Sequence, residues 1–337
     1  MSSLISVLLL AVHFVAVDLT MAGPLVCVWL AWREARRDDP LAGRLNRELA
    51  WASLWGLVVG IGVGCLELVR LWLTADHDFW RAVAAVPAGR LWFSLAELVF
   101  FAVCMAAYVW LGRRPKRRPR LAATLAILAA LDLMAHFPPL FTMLNLLADR
   151  PGLAGVRLES PLYRSLLVDP EVAAMTLHVY LAAVAVTATL VMSRATRLVG
   201  QAAADAQPAG LPAVVVGSAR AALAATLLQI PLGIAVLLSV PSQLRDAILG
   251  EDLWAAVPFG GGILATLALL HTLAAVALGD RDRRQVHRAV ILMLATVFLM
   301  TAALSRIRQL GRPAGVMERV AAAVPVAAPP LTPNARS

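Results

Sequence analysis

Charged residues are scarce in this sequence. Asp, Glu, Lys and Arg together make up only 15% of the 337 residues, whereas 60% are hydrophobic and the mean hydropathy is +0.76. Soluble domains carry about 25% charged residues, so this deficit excludes a soluble enzyme.

Cysteine is also rare. Cys27, Cys65 and Cys104 lie in apolar runs without CxxC spacing, which predicts small buried hydrophobic residues. Nothing resembles a nucleotide loop, a nucleophile elbow or a zinc motif.

Long apolar segments recur along the whole chain, each able to cross a hydrocarbon core of about 30 Å. Eight are predicted as spans: 3–32, 49–73, 90–111, 121–147, 170–192, 218–240, 256–278 and 287–304. The first lacks a basic leader region and contains His13 and Asp18, so we interpret it as a retained span and not a signal peptide. The predicted fold is an all-α polytopic transmembrane helix bundle over residues 1–305, with a Pro/Ala-rich disordered tail over 306–337.

Arginine clusters alternate with neutral or acidic connections. Basic connections follow the first, third, fifth and seventh spans, and the connection after the third span reads RRPKRRPR. Between them lie connections such as TADHDFWR and RDAILGEDLW. By the positive-inside rule the N-terminus lies outside, in a bacterial-type inner (cytoplasmic) membrane. The net charge of +9 is therefore a topology signal, and no nucleic-acid partner is expected.

Glycines recur every four residues in the second span, at Gly56, Gly60 and Gly64. This spacing predicts a face on which two helices pack closely, because glycine lets backbones approach.

Ionisable residues inside spans are costly and are candidates for function. They are His13, Asp18, Glu67, Glu97, Asp132, His136, His178 and His271. At 1.5 Å per residue, the three histidines His13, His136 and His178 share the outer half of the bilayer with Glu97. Asp18 and Asp132 lie nearer the middle, and His271 is alone in the inner half.

Imidazoles at one depth on different helices are the arrangement by which a bundle holds a haem. The alternative is a set of interhelical hydrogen bonds, worth about 0.6 kcal/mol each. The carboxylates Asp18, Glu67, Glu97 and Asp132 also admit two interpretations. They are either a proton relay to a buried redox centre or carboxyl groups bonded to neighbouring helices.

Four segments carry a family resemblance in their order and spacing. HFVAVDLT in the first span is similar to the HFLFVPLT-type first helix of cytochrome bd ubiquinol oxidase subunit I. LLVDPEVAAMTLHVYLAA is similar to its LLNPVAQVKFVHTVAAGY, and in both a proline precedes a histidine by eight residues. GLVVGIGVGCLEL and LWFSLAELVFF look like its glycine-rich second helix and its Glu-bearing third helix. The resemblance covers roughly residues 5–200.

The resemblance implies one or two haems b as cofactors. His13 matches the histidine that binds a high-spin haem, and His178 matches the histidine ligand of the low-spin haem b. Glu67 and Glu97 would correspond to carboxylates near the haems or in proton delivery.

The chain also departs from that family. Its methionine ligand lies in the motif FRIM, where this chain has FGGG (259–262), and the long quinol-binding loop is replaced by a short connection at 241–257. His136 has no counterpart in the family. Its depth leads to the hypothesis that it replaces the methionine as the partner of His178, giving a bis-histidine haem b.

The sequence therefore predicts a membrane b-type cytochrome that passes electrons between a quinone or periplasmic donor and a partner redox subunit. An oxidoreductase subunit similar to a quinol oxidase is the expectation, with electron transfer favoured over oxygen reduction. A second membrane or periplasmic subunit is expected to cover the haem. The alternative is a haem-free transporter or an assembly subunit of a respiratory complex. Transporters typically show internal repeats, and none is evident here.

Overall fold

The computed structural model describes residues 2–74, 76–112, 118–149, 156–202, 212–280 and 282–311, and all regular secondary structure in these ranges is helical. The helices are α1 (Ser2–Arg37), α2 (Pro40–Leu73), α3 (His77–Ala85), α4 (Ala88–Gly112), α5 (Pro119–Asp149), α6 (Ser160–Leu167), α7 (Pro170–Ala202), α8 (Ala213–Ser239), α9 (Ser242–Asp246), α10 (Leu253–Ala277) and α11 (Arg283–Gly311). A π-helical turn, Ala247–Glu251, connects α9 to α10.

Eight of these helices are long and apolar enough to cross a membrane, namely α1, α2, α4, α5, α7, α8, α10 and α11. The predicted transmembrane helix bundle is thereby confirmed. The short helices α3, α6 and α9 lie in connections between the spans.

The helices extend beyond the apolar segments that predicted them. The second span was expected from residue 49, but α2 begins at Pro40 because Asp39 caps it, accepting a hydrogen bond from the Ala42 amide at 3.1 Å. Proline is favoured in the first turn of a helix, where its missing N–H has no partner to lose. The start of α2 is therefore set by its Asp39 cap and not by hydropathy. As a result, Arg44 and Arg47 belong to the helix and not to a loop. Likewise α11 continues to Gly311, and residues 312–337 of the predicted tail lie outside the described residues.

α1 is central to the bundle. It packs along α2 and also contacts α5, α7 and α11, while α4 pairs with α5, α7 with α8 and α10 with α11. Met21, Ala22 and Leu30 of α1 are buried in the main apolar core. Two of the three cysteines, Cys27 and Cys104, are buried as predicted. The prediction was wrong for Cys65, which is exposed because it lies on the side of α2 that faces away from α1.

The glycine-lined face of α2 packs against α1, as its spacing predicted. A Cβ atom added to Gly56 would lie 2.9 Å from the backbone oxygen of Ala16, and one added to Gly60 would lie 3.3 Å from Val17. By contrast, a Cβ atom at Gly62 of the same helix would meet no atom within 4 Å. The absence of side chains at Gly56 and Gly60 therefore sets the distance between the first two spans.

The ends of α10 and α11 on the predicted outer side are joined by an ion pair. The guanidinium of Arg306 donates to Asp252 from Nη2 at 2.6 Å and from Nε at 3.2 Å. Asp252 also caps α10 by accepting from the Ala255 amide at 2.9 Å. The hydrogen bond from Arg306 holds the pKa of Asp252 below its usual range.

We expect Gly56→Ala to destabilise the protein by about 1–3 kcal/mol, because the added methyl group would force the α1 backbone away. The matched control is Gly62→Ala, which should be neutral or slightly stabilising since alanine is the better helix former. Thermal unfolding of the purified protein in detergent measures both. Equal melting temperatures for the two variants would contradict a packing role for Gly56.

We expect Asp252→Asn to reduce stability at pH 7 by about 1 kcal/mol or less, the range of partly exposed ion pairs. Asparagine retains the helix cap, so the substitution removes the charge alone. A carboxylate whose folded pKa is depressed stabilises the fold above its unfolded pKa, and this contribution is lost as the pH falls through the folded value. The difference between wild type and variant should therefore shrink below about pH 4. A difference that is constant from pH 7 to pH 3 would exclude the ion pair as its cause.

Candidate functional site

His13 lies where α1 meets the glycine-lined face of α2. Its Nδ1 is 2.9 Å from the backbone oxygen of Gly60, and a Cβ atom at Gly64 would lie only 3.2 Å from the ring. A carbonyl oxygen can only accept, so Nδ1 carries the proton and Nε2 carries the lone pair. Within the described residues no group hydrogen-bonds to Nε2. His13 is thus held by the backbone through Nδ1, and in its neutral form the ring presents the lone pair of Nε2.

His178 lies between α7 and α8. Its ring faces a helix surface without a side chain, because a Cβ atom at Gly233 would lie 3.9 Å from its Cε1. Nδ1 of His178 is buried, and it has no hydrogen-bond partner among the described residues. A buried polar atom left unpaired costs about 1–3 kcal/mol and requires an explanation. A ligand or metal bond to the imidazole would provide one.

His136, near the middle of α5, is buried against Ser94 of α4 and Tyr163 of α6. Its Nε2 is 3.1 Å from the Ser94 hydroxyl, which itself donates to the Arg90 backbone oxygen at 3.0 Å. The serine oxygen therefore accepts from His136, whose Nε2 carries the proton. The imidazole ring of His136 stacks on the ring of Tyr163. The guanidinium carbon of Arg90 lies 3.8 Å from the centre of the Tyr163 ring. Burial raises the pKa of Tyr163, against the opposing effect of Arg90, so the phenol stays neutral.

His136 and His178 make their described contacts with different helices. The Tyr180 hydroxyl donates to the Met134 backbone oxygen, which joins α7 to α5. The helices α5 and α7 are antiparallel. His178 is two residues from Tyr180, and His136 is two residues from Met134. Two residues correspond to a rotation of about 200° around a helix axis. His178 therefore lies against α8 and His136 against α4. A bis-histidine site would require a change of at least one of these contacts.

Glu97 and Asp132 are brought together by α4 and α5. They line one groove with Phe93, Ala96 and Phe100. Oε2 of Glu97 is 3.9 Å from Nε2 of His136, which is too far for a hydrogen bond. Oε2 of Glu97 and Oδ2 of Asp132 are buried, and neither has a hydrogen-bond partner in the described part of the chain.

The other two predicted relay carboxylates lie elsewhere. Glu67 accepts two hydrogen bonds from Arg70, at 2.8 and 2.7 Å, and one from Ser6 at 2.7 Å, so it forms a satisfied ion pair. Asp18 is buried in α1, and the Thr187 hydroxyl of α7 donates to its backbone oxygen at 3.1 Å.

Comparison with known proteins identifies a similar fold but no related sequence. No protein-family model and no curated protein matches the sequence. Among solved structures, the chain is similar to the bd oxidase from Geobacillus thermodenitrificans, with a TM-score of 0.71 and 15% identity over 92% of this chain and 86% of that one. This chain has a bd-oxidase-like fold. At this level of identity the similarity shows the architecture alone.

The sequence did not identify the residues around Glu97. Phe93, Ala96 and Phe100 are spaced at −4, −1 and +3 from Glu97, so they share one helix face, and that spacing is the signal that was available. Ser94 and Tyr163 carried no such signal, because their contacts with His136 come from other helices.

We expect Ser94→Ala to destabilise the protein by about 1–3 kcal/mol, because it leaves the buried Nε2–H of His136 without an acceptor. The control is Ser165→Ala on α6, an exposed serine whose hydroxyl bonds only the Leu162 backbone. Thermal unfolding in detergent measures both variants. A Ser94 variant as stable as the control would show that His136 does not depend on this bond.

Proposed function

We propose that this chain is a b-type cytochrome subunit of a membrane complex similar to a respiratory oxidase. It would carry one or two haems b and pass electrons between a quinone or periplasmic donor and a partner redox subunit. The observation that carries the proposal is the hydrogen bond that Nδ1 of His13 donates to the Gly60 backbone oxygen, because it leaves Nε2 of the neutral ring to offer a lone pair. The bd-oxidase-like fold supports it independently.

The residues present fit a haem. His13 offers Nε2, and His178 offers an imidazole beside Gly233 whose buried Nδ1 has no hydrogen-bond partner among the described residues. We propose that both would bind the haem iron, since each ring lies against a glycine of a neighbouring helix. Hydrogen bonding of the other ring nitrogen, as in His13, fixes the tautomer and raises the basicity of a metal ligand. The haem iron would supply one-electron transfer.

Proton movement follows from the same proposal. Asp18, Glu67, Glu97 and Asp132 are the proposed relay. Glu97 and Asp132 line one groove, and each has a buried oxygen without a hydrogen-bond partner among the described residues. The short connection at 241–257 and the missing methionine favour electron transfer over oxygen reduction. We place the protein in a bacterial-type inner membrane, where a second membrane or periplasmic subunit covers the haem.

The alternative function is a haem-free membrane subunit for transport or assembly. One observation favours it: Nε2 of His136 donates to Ser94, so this third histidine already has a structural partner. The bis-histidine hypothesis for His136 and His178 stays a prediction that the same experiment tests.

The test is a reduced-minus-oxidised visible spectrum of the full chain, purified in detergent after expression with ample haem and any partner subunits. We expect sharp α and Soret bands. His13→Ala and His178→Ala should each remove or shift one set of bands, because each deletes a proposed ligand of the haem iron. The control is His271→Ala on the exposed face of α10, whose spectrum should equal that of wild type.

A flat spectrum from folded wild-type protein would refute the cytochrome and leave the haem-free function. His136→Ala decides the bis-histidine hypothesis, since an unchanged low-spin spectrum in this variant would exclude His136 as a ligand.

A further inference from the structure

Helix α10 has an outward face whose residues follow one another in alternating steps of four and three. These residues, called the α10 seam below, are Leu253, Val257, Gly260, Leu264, Leu267, His271, Ala274 and Leu278, and none of them is buried. Leu264, Leu267 and Leu278 are 69%, 54% and 88% exposed. This spacing keeps the residues on one side of a helix and is the pattern by which two helices pack lengthwise. The seam is about 37 Å long, enough to cross a hydrocarbon core of about 30 Å.

His271 is the polar member of the α10 seam. Its side chain is exposed, and it makes no hydrogen bond to any residue that the structure describes. The helix ends at Ala277, six residues later, which is about 9 Å along the axis. A helix of about 37 Å extends only about 4 Å beyond each side of a hydrocarbon core on which it is centred, so the imidazole lies among acyl chains. Acyl chains satisfy neither ring nitrogen, at a cost in free energy.

The hydrogen-bonding capacity of this ring favours a second copy of the chain as its partner. A neutral imidazole has one N–H donor and one acceptor nitrogen, so the ring is complementary to another ring of the same kind. Two copies inserted in the same orientation have parallel α10 helices. About a two-fold axis along the membrane normal, the same surface of each copy meets itself, and equivalent seam positions lie opposite each other. His271 then faces the same residue of the second copy.

Gly260 adds an independent observation on the same seam. A Cβ atom at Gly260 would meet no atom within 4 Å, whereas one at Gly262, two residues later, would lie 2.8 Å from Met300 of α11. Packing within the described chain therefore explains the glycine at position 262 and not the one at position 260. On an outward face, glycine lets the backbone of another helix approach closely.

We propose that the α10 seam is the interface of a symmetric homodimer, in which the two His271 rings hydrogen-bond across the two-fold axis and Gly260 allows close approach of the two helices. A single polar residue in an apolar seam fixes the register and the number of helices that associate, and His271 has this role here. The inference is independent of the proposed function, because the proposed haem ligands lie on α1, α5 and α7 and none lies on α10.

The experiment measures the dimer dissociation constant of the full chain by sedimentation equilibrium in density-matched detergent at pH 8. We expect wild type to dimerise reversibly. His271→Leu should raise the dissociation constant about three- to twentyfold, the range of interhelical hydrogen bonds in membranes. His271→Asn retains one donor group and one acceptor and should keep the wild-type constant to within about threefold. A leucine variant that dimerises as tightly as wild type would overturn the proposal, because apolar packing alone would then account for the association.

Gly260→Leu should raise the dissociation constant about tenfold or more, because the added side chain forces the two seams apart. The fold of the single chain should be unchanged, since the substituted position opens on empty space. The matched control is Gly62→Leu on α2, where a Cβ atom also meets nothing within 4 Å, and its dissociation constant should equal that of wild type. Equal constants for the two variants would exclude the α10 seam as the interface.

Disulfide cross-linking in membranes tests the same interface without detergent. Cys27 and Cys104 are buried, so replacing the exposed Cys65 by serine removes the accessible thiol. In this background Leu264→Cys should give a covalent dimer on oxidation, because equivalent positions face each other across the axis. The control is Leu228→Cys, on a 57% exposed position of α8, which should remain monomeric. A chain that is monomeric at every concentration, or a Leu264→Cys variant that cross-links only to a different protein, would overturn the homodimer.

Discussion

The close contact between α1 and α2 is the constraint on which the rest of the structure depends. Gly56 lets the α1 backbone approach so near that a single methyl group would collide with the oxygen of Ala16. At the same distance Gly60 can accept the hydrogen bond of His13. Because α1 also packs on α5, α7 and α11, a displacement of α1 would disturb four helix contacts at once. The tautomer of His13 is therefore a consequence of helix packing.

The polar groups of the outer half divide into separate environments, although they share one depth. His13 belongs to the contact of α1 with α2, and His178 to the contact of α7 with α8. His136 belongs with Ser94 and Glu97 between α4 and α5. Equal depth along antiparallel helices places residues in one layer, but the direction of each side chain depends on its angle around the helix axis. The two proposed haem ligands and a polar cluster can thus occupy one layer without forming one site.

The same distinction explains how much the sequence could predict. Hydropathy predicted the eight spans, and four-residue glycine spacing predicted the contact surface of α2, because both depend on residues of one segment. The start of α2 at Pro40 was missed, since it depends on the cap by Asp39 and not on apolarity. The partner of His136 was also missed, because Ser94 lies 42 positions away on another helix. Pairing between helices requires their relative rotation, and spacing along one chain does not contain it.

The carboxylates of this bundle differ in whether they pair with an arginine. Glu67 pairs with Arg70, Glu48 with Arg194 and Asp252 with Arg306, so at three positions an acidic group has a guanidinium within hydrogen-bond distance. Glu97 and Asp132 differ from these, since each has a buried oxygen without such a bond in the described part of the chain. A carboxyl group without a hydrogen bond inside the hydrocarbon region is costly in free energy. Replacing Glu97 and Asp132 by apolar residues would remove that cost. Their presence fits the proposed relay, because Asp and Glu side chains inside a membrane bundle carry protons in pumps and transporters.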